Sequence, residues 1–106
     1  MESRYMVKFK IIESKSEKKE KKIQSEIVRW LKDHGYSVDV ITKGLYGNNG
    51  ISDIIAVKQG KVAFIEVKRP GKKPTKLQEL YLKEKQRHGA ISFIAYCIDD
   101  VKRRLQ

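Results

Sequence analysis

The sequence predicts an α/β domain built around one β-hairpin, residues 50–68. Three observations lead there. Along the chain, apolar residues switch between helical spacing and the alternation or short solid runs of strands. Those segments follow the order strand or arm, helix, three strands, helix, strand, helix. A length of 106 residues at 40% hydrophobic content supports one modest core and not two, so 1–106 reads as a single domain.

Residues 1–14 contain RYMVKFKII, in which Tyr5, Val7, Phe9 and Ile11 alternate with polar or basic neighbours. This is an N-terminal strand or extended arm with one apolar face, suited to covering a sheet edge or to a dimer contact. The charged run Lys15 to Lys22 reads as the solvated start of a helix, with Ser14 and Glu17 at capping-box spacing. The helix continues through the core-facing stripe Ile23, Ile27, Trp30 and Leu31 and stops at Gly35. Glu26 lies on the margin of that stripe. From the helix alone, a surface glutamate paired with Lys22 or Arg29 is the simpler account of it.

Tyr36 to Thr42 alternates as a strand. Gly44 to Gly50 is a glycine- and asparagine-rich loop without the Gly-Lys-Ser/Thr ending of a phosphate-binding P-loop, and it fits the mouth of a site. After the hairpin, Arg69 to Pro74 is a turn segment rich in cations. Thr75 to His88 has the spacing of a helix ending at Gly89, and Thr75 with Gln78 forms a capping-box pair that fully accounts for Gln78. Ala90 to Ile98 is an apolar strand suited to the middle of a sheet, and its Cys97 reads as a buried structural thiol. Asp99 caps a short C-terminal helix, Asp100 to Leu105.

Within the hairpin, Ile54 to Val57 and Val62 to Val67 flank the turn Lys58-Gln59-Gly60-Lys61. If the turn is centred on Gln59-Gly60, Asp53 and Glu66 face each other across the ladder, with Cβ atoms roughly 4.5–5.5 Å apart, and Lys68 shares the face of Glu66. Apolar residues fill both faces, Ile54, Ala56, Ile65 and Val67 on one, Ile55, Val57, Val62 and Phe64 on the other. The charges therefore sit at the end of a hairpin covered on both sides, where opposed carboxylates require a cation between them. Lys68 serves, and a divalent metal serves better.

Two acids and a lysine suit phosphodiester hydrolysis. Hard oxygen ligands match Mg²⁺, the backbone carbonyl of Val67 offers a further ligand, and a lysine can orient or deprotonate the attacking water. Net charge supplies the substrate class: 24 Lys and Arg against 13 Asp and Glu leave +11, which points to a polyanion such as nucleic acid. Lys43, Arg69, Lys72, Lys73 and Lys76 fall near the mouth of the site as candidate phosphate contacts. No apolar run approaches the ~18 residues of a membrane span, and the N-terminus lacks a signal-peptide core, so a cytoplasmic protein without membrane contact is expected.

Gly50-Ile51-Ser52-Asp53 followed by Glu66-Val67-Lys68 resembles the split D…ExK signature of the PD-(D/E)XK nuclease superfamily. Gly71-Lys72, Thr75 and Gln78 resemble its VRR-NUC branch, whose small stand-alone members include phage and bacterial enzymes acting on branched DNA. The resemblance spans roughly Lys22 to Leu105. It implies a restriction-endonuclease-like core, a mixed sheet flanked by helices in the order αβββαβ with a short C-terminal helix, the site lying at one sheet end. Asp53 and Glu66 become metal ligands, Glu26 a ligand directly or through water, Lys68 the catalytic lysine and Gln78 a side chain beside it. Ser52 departs from the proline that many members have there, which touches only the turn.

The function so implied is that of a Mg²⁺- or Mn²⁺-dependent endodeoxyribonuclease acting on branched DNA in a bacterial or phage-infected cell, resembling a Holliday junction resolvase and working as a homodimer. A single-strand, flap or restriction-like nuclease is the alternative within enzymes, and a non-catalytic basic nucleic-acid-binding module the alternative outside them.

Overall fold

The computed structural model describes residues 15–42 and 50–106, with side chains from residue 18 onward. The N-terminal arm, the Ser14–Glu17 cap, Lys43 and nearly all of the Gly44–Gly50 loop lie outside the described residues or side chains. The elements are α1 (Lys15–Asp33), β1 (Ser37–Val40), β2 (Ile54–Lys58), β3 (Lys61–Val67), α2 (Lys76–Arg87), β4 (Ile91–Ala95) and α3 (Ile98–Leu105).

The described strands form one mixed sheet in the order β1-β2-β3-β4. β1 and β3 run antiparallel to β2, and β4 runs parallel to β3 after the α2 crossover. Lys58 pairs with Lys61 and Ile54 with Ile65, which is the register expected from a turn centred on Gln59-Gly60. Both turn residues have positive φ, 49° for Gln59 and 81° for Gly60, as in the type I′ turn whose twist matches two antiparallel strands.

The core lies between one sheet face and α1 with α3. Ile27, Trp30 and Leu31 of α1 and Val101 of α3 bury against Ile54, Ala56, Ala63, Ile65, Val67, Phe93 and Ala95. Each large aliphatic side chain taken fully out of water there contributes about 1.5–3 kcal/mol. The second face is covered by α2 in part only. Tyr81 meets Phe64 edge-on with centroids 5.9 Å apart, and Ser92 Oγ donates to the Leu82 carbonyl at 2.7 Å. Val57 on that face remains 38% exposed, so the hairpin is covered on both sides only where α2 crosses it.

Three further expectations change. β4 is an edge strand among the described residues, its apolar run shielded by α2 and α3 instead of by strands on both sides. Cys97 is exposed, because β4 ends at Ala95 and Cys97 stands outside the sheet at the start of α3. The N-cap of α3 is Cys97, without a side-chain bond, and Asp100 instead reaches back to accept the Tyr96 N–H at 2.8 Å. No helix among the described residues is long and apolar enough to cross a membrane.

Candidate active site

At the sheet end opposite the hairpin turn, Asp53 precedes β2 and Glu66-Val67-Lys68 closes β3. The ladder register carries Asp53 one step past the Ile54–Ile65 pair, beside Glu66. Its backbone carbonyl accepts the Ile41 N–H at 2.8 Å and its Oδ2 accepts the Val67 N–H at 2.8 Å. The carboxylate is thereby fixed to the strand that carries the other acid. Ser52, fully buried, donates from Oγ to the Ile54 carbonyl at 3.3 Å and anchors the turn before it.

Glu66 is 1% exposed. A carboxylate that far from water is costly unless partnered. Gln78 Nε2 donates to its Oε2 at 2.9 Å, and Lys68 Nζ lies 3.8 Å from the same oxygen. Gln78 fills two roles at once, because its Oε1 accepts the Thr75 N–H at 2.8 Å while its own N–H donates to Thr75 Oγ1 at 3.1 Å. The capping box thus orients the amide that meets the buried acid, linking the start of α2 to the end of β3.

Gly50 completes this junction. Its φ is +84°, and a Cβ there would lie 2.4 Å from the Leu77 carbonyl oxygen and 2.8 Å from the Gln78 nitrogen. Only a residue without a side chain lets the approach to β2 pass this close to α2.

Asp53, Glu66, Val67, Lys68 and Gln78 therefore gather at one place. Lys72, Lys73 and Lys76 are exposed on the turn and first position that lead into α2, and Arg69 is half-buried. Glu26 does not join them. It is exposed on α1, about 100° around the helix from the buried Ile27.

Among the described side chains of α1, Glu20 is the acid that reaches this sheet end, its Oε1 accepting the Arg69 N–H at 3.5 Å. Its signal was present in the sequence: Glu20 precedes Ile23 by three residues and Ile27 by seven, which places it on the buried stripe.

The donors suit a hard divalent cation, two carboxylates with a backbone carbonyl between them on one strand end. Among the described residues no group of three or more His, Cys, Asp or Glu side chains converges. A groove of about 650 Å³ lies at the other end of the sheet, lined by Lys61, Phe64, Lys85 and His88 among others, with no carboxylate in its lining.

Comparisons with known proteins agree with this geometry. A family model described as archaeal Holliday junction resolvase (Hjc) matches residues 9–98. A solved structure described as a VRR_NUC domain superposes with a TM-score of 0.68 at 23% identity, covering 80% of this chain and 91% of its own, which supports the restriction-endonuclease-like α/β fold. No curated protein matches the chain. The acid pair, the lysine and the family match over most of the length lead to one conclusion: the chain belongs to the archaeal Holliday junction resolvase family of PD-(D/E)XK nucleases.

Proposed function

We propose that this protein is a divalent-metal-dependent endodeoxyribonuclease that cuts branched DNA as a homodimer, using Mg²⁺ or Mn²⁺ held by Asp53, Glu66 and the Val67 carbonyl. The observation that carries the proposal is the buried Glu66, met by Gln78 and Lys68 at the sheet end where Asp53 is pinned to Val67. A buried carboxylate met by a lysine and an amide beside a second acid is a candidate ligand for a cation. Resolvase-like, structure-selective cleavage agrees with the family and with a surface carrying +11.

When bound, the metal polarises the phosphate and lowers the pKa of a coordinated water. The side chains supply the rest. Asp53, held by two backbone bonds, keeps its geometry as the substrate arrives, so little reorganisation is needed. Lys68 orients the water and offsets negative charge growing on the phosphate oxygens. Gln78 holds Glu66 in one rotamer. Lys72, Lys73 and Lys76 neutralise flanking phosphates, which fixes register on the DNA and reads no bases. Cutting two strands of a junction needs two such sites, and one chain carries one, which favours a two-fold dimer. The exposed Leu77 and Leu80 of α2 offer apolar surface for that association.

A labelled four-way junction, a flap and a linear duplex incubated with and without Mg²⁺ test the reading. Preferential, metal-dependent cleavage of the junction is expected. Cleavage of no substrate with either metal, or identical behaviour of wild type and Lys68→Ala, would overturn it. Retention of DNA without cleavage, lost steeply as salt rises, would mark a binding module instead.

A further inference from the structure

We propose that the groove at the C-terminal end of α2 is a second DNA-backbone site, in which Lys85 holds a phosphate of the arm about three to four base pairs from the cut. The inference rests on the nuclease reading and adds to it a surface separate from the rim of Lys72, Lys73 and Lys76. Three observations carry it.

The first is how Lys85 is held. Its Nζ stands 4.9 Å from the Tyr81 ring centre and 5.3 Å from that of Phe64, and these two rings meet edge-on. Both rings attract the ammonium and so fix a charge that would otherwise sweep through solvent. A ring face does not cancel that charge, and the N–H donors of the ammonium still seek oxygen acceptors. Among the described residues Lys85 is paired with no carboxylate, and the acid next to it in sequence, Glu84, is taken by Arg87 at 2.7 Å and by His88 at 3.0 Å.

The second is the lining of the groove. It encloses about 650 Å³ between Val62 and Phe64 of β3 and the end of α2, with Lys61 at the hairpin turn and no carboxylate in its walls. Gly60 and Gly89 also line it, and a Cβ at either would meet nothing within 4 Å, so the walls stay low where a sugar-phosphate backbone would pass. An uncharged occupant would cover the half-buried ammonium of Lys85 and leave it unpaired, which is costly, whereas a phosphate pairs it. On a chain of net charge +11 the polyanion already implied by the nuclease site is the occupant that fits.

The third is position. Phe64 alternates with the core-facing Ala63 and Ile65, so the groove opens on the sheet face that holds Glu66. Gln78, which binds Glu66, and Lys85 share one helix and stand seven residues apart, about 10 Å along its axis, and His88 at its C-cap lies about 15 Å from Gln78. A duplex arm laid along α2 rises 3.4 Å per base pair, which brings the groove against the backbone about three to four base pairs from the phosphate at Asp53 and Glu66.

The test is a scan of backbone charge. Affinity for a four-way junction is read by fluorescence anisotropy without metal, while a neutral methylphosphonate replaces one phosphate at a time along an arm, outward from the branch point. The cut is mapped separately with Mg²⁺. Wild type is expected to lose about three- to tenfold in affinity at one or two positions about three to four base pairs from the cut. Lys85→Gln loses about the same on the unmodified junction, its salt dependence is shallower by about one unit of slope, and neutralising the sensitive phosphate changes its affinity by less than about 1.5-fold. A lysine with a merely structural role would not erase sensitivity at one phosphate. Single-turnover cleavage at saturating enzyme stays within about twofold, because Lys85 touches no reacting atom. Lys32→Gln, the same change of charge on α1, keeps the wild-type pattern.

Absence of a sensitive position in that range overturns the proposal, and so does equal sensitivity in wild type and Lys85→Gln. Unchanged affinity for Lys85→Gln overturns it as well, and leaves the groove to an occupant other than DNA. Should Lys85→Gln fail to fold, Lys61→Glu, an exposed change at the turn that puts a carboxylate in the lining, replaces it with the same expectations for affinity and for the scan. Wild type that cuts nothing refutes the nuclease reading, while the binding scan still decides whether Lys85 meets a phosphate.

Discussion

Replacing Gln78 by alanine removes two things at once, and the structure says how much each is worth. The Nε2 bond to Glu66 Oε2 runs to a charged, buried acceptor at 2.9 Å, and such bonds contribute about 1.5–3 kcal/mol. The Oε1 bond to Thr75 N–H is the returning half of the capping box, about 0.5–1 kcal/mol. Gln78→Ala is therefore expected to cost about 2–4 kcal/mol, a fall of about 10–20 °C in Tm for a chain of this size. Thr75→Ala loses the other half of the cap and leaves Glu66 its partner, so it costs about 1 kcal/mol. Urea and thermal denaturation followed by circular dichroism measure both. A double-mutant cycle of Gln78→Ala with Glu66→Gln isolates the contact, with an expected coupling of about 1–2 kcal/mol. Equal costs for Gln78→Ala and Thr75→Ala, with coupling below about 0.5 kcal/mol, would show that Gln78 is a cap and nothing more.

Two other substitutions probe the same junction from different sides. Gly50→Ala forces a Cβ into the Leu77 carbonyl at a positive φ and is expected to destabilise by about 2–5 kcal/mol, strain and overpacking together, whereas Gly71→Ala, at φ +90° with open space around it, costs only about 1–2 kcal/mol. Comparable melting temperatures for the two would remove Gly50 as the close-approach point. Glu20→Gln, which weakens the tie between α1 and the backbone just after Lys68, is expected to reduce junction cleavage by about tenfold. Glu26→Gln, an exposed surface change, should stay within about twofold. The reverse order of these two would restore Glu26 to the site.

Much of the site was legible because its determinants are local. Alternation through Ile54–Val57 and Val62–Val67 about a two-residue turn allows one register that keeps Ile54 and Ile65 inside, and that register delivers Asp53 to Glu66. The three-residue spacing of Thr75 and Gln78 likewise specifies the cap without knowledge of the fold. What escaped the sequence depends on contacts distant along the chain. Glu20 sits among eight mostly charged residues, where an acid on the buried stripe looks like one more solvated charge, and its partner lies 49 residues away.

Glu26 entered the site through the family resemblance alone; its place on the margin of the helical stripe favoured a surface glutamate, and the side chain is exposed. Ala90 to Ile98 read as a central strand because its residues are apolar throughout, yet helices can shield an edge strand just as well, and Cys97 fell outside the strand altogether. Gly50 gave no advance sign of its role, since its contact with Leu77 exists only once α2 is docked.

The central claim is that the end of the β2–β3 hairpin is a metal-binding hydrolytic centre, and anomalous scattering from Mn²⁺ in crystals of the protein tests it most directly. The account predicts an ion within about 2.5 Å of both Asp53 and Glu66 carboxylate oxygens and of the Val67 carbonyl. Mn²⁺ bound elsewhere, with these oxygens left without metal, would contradict it.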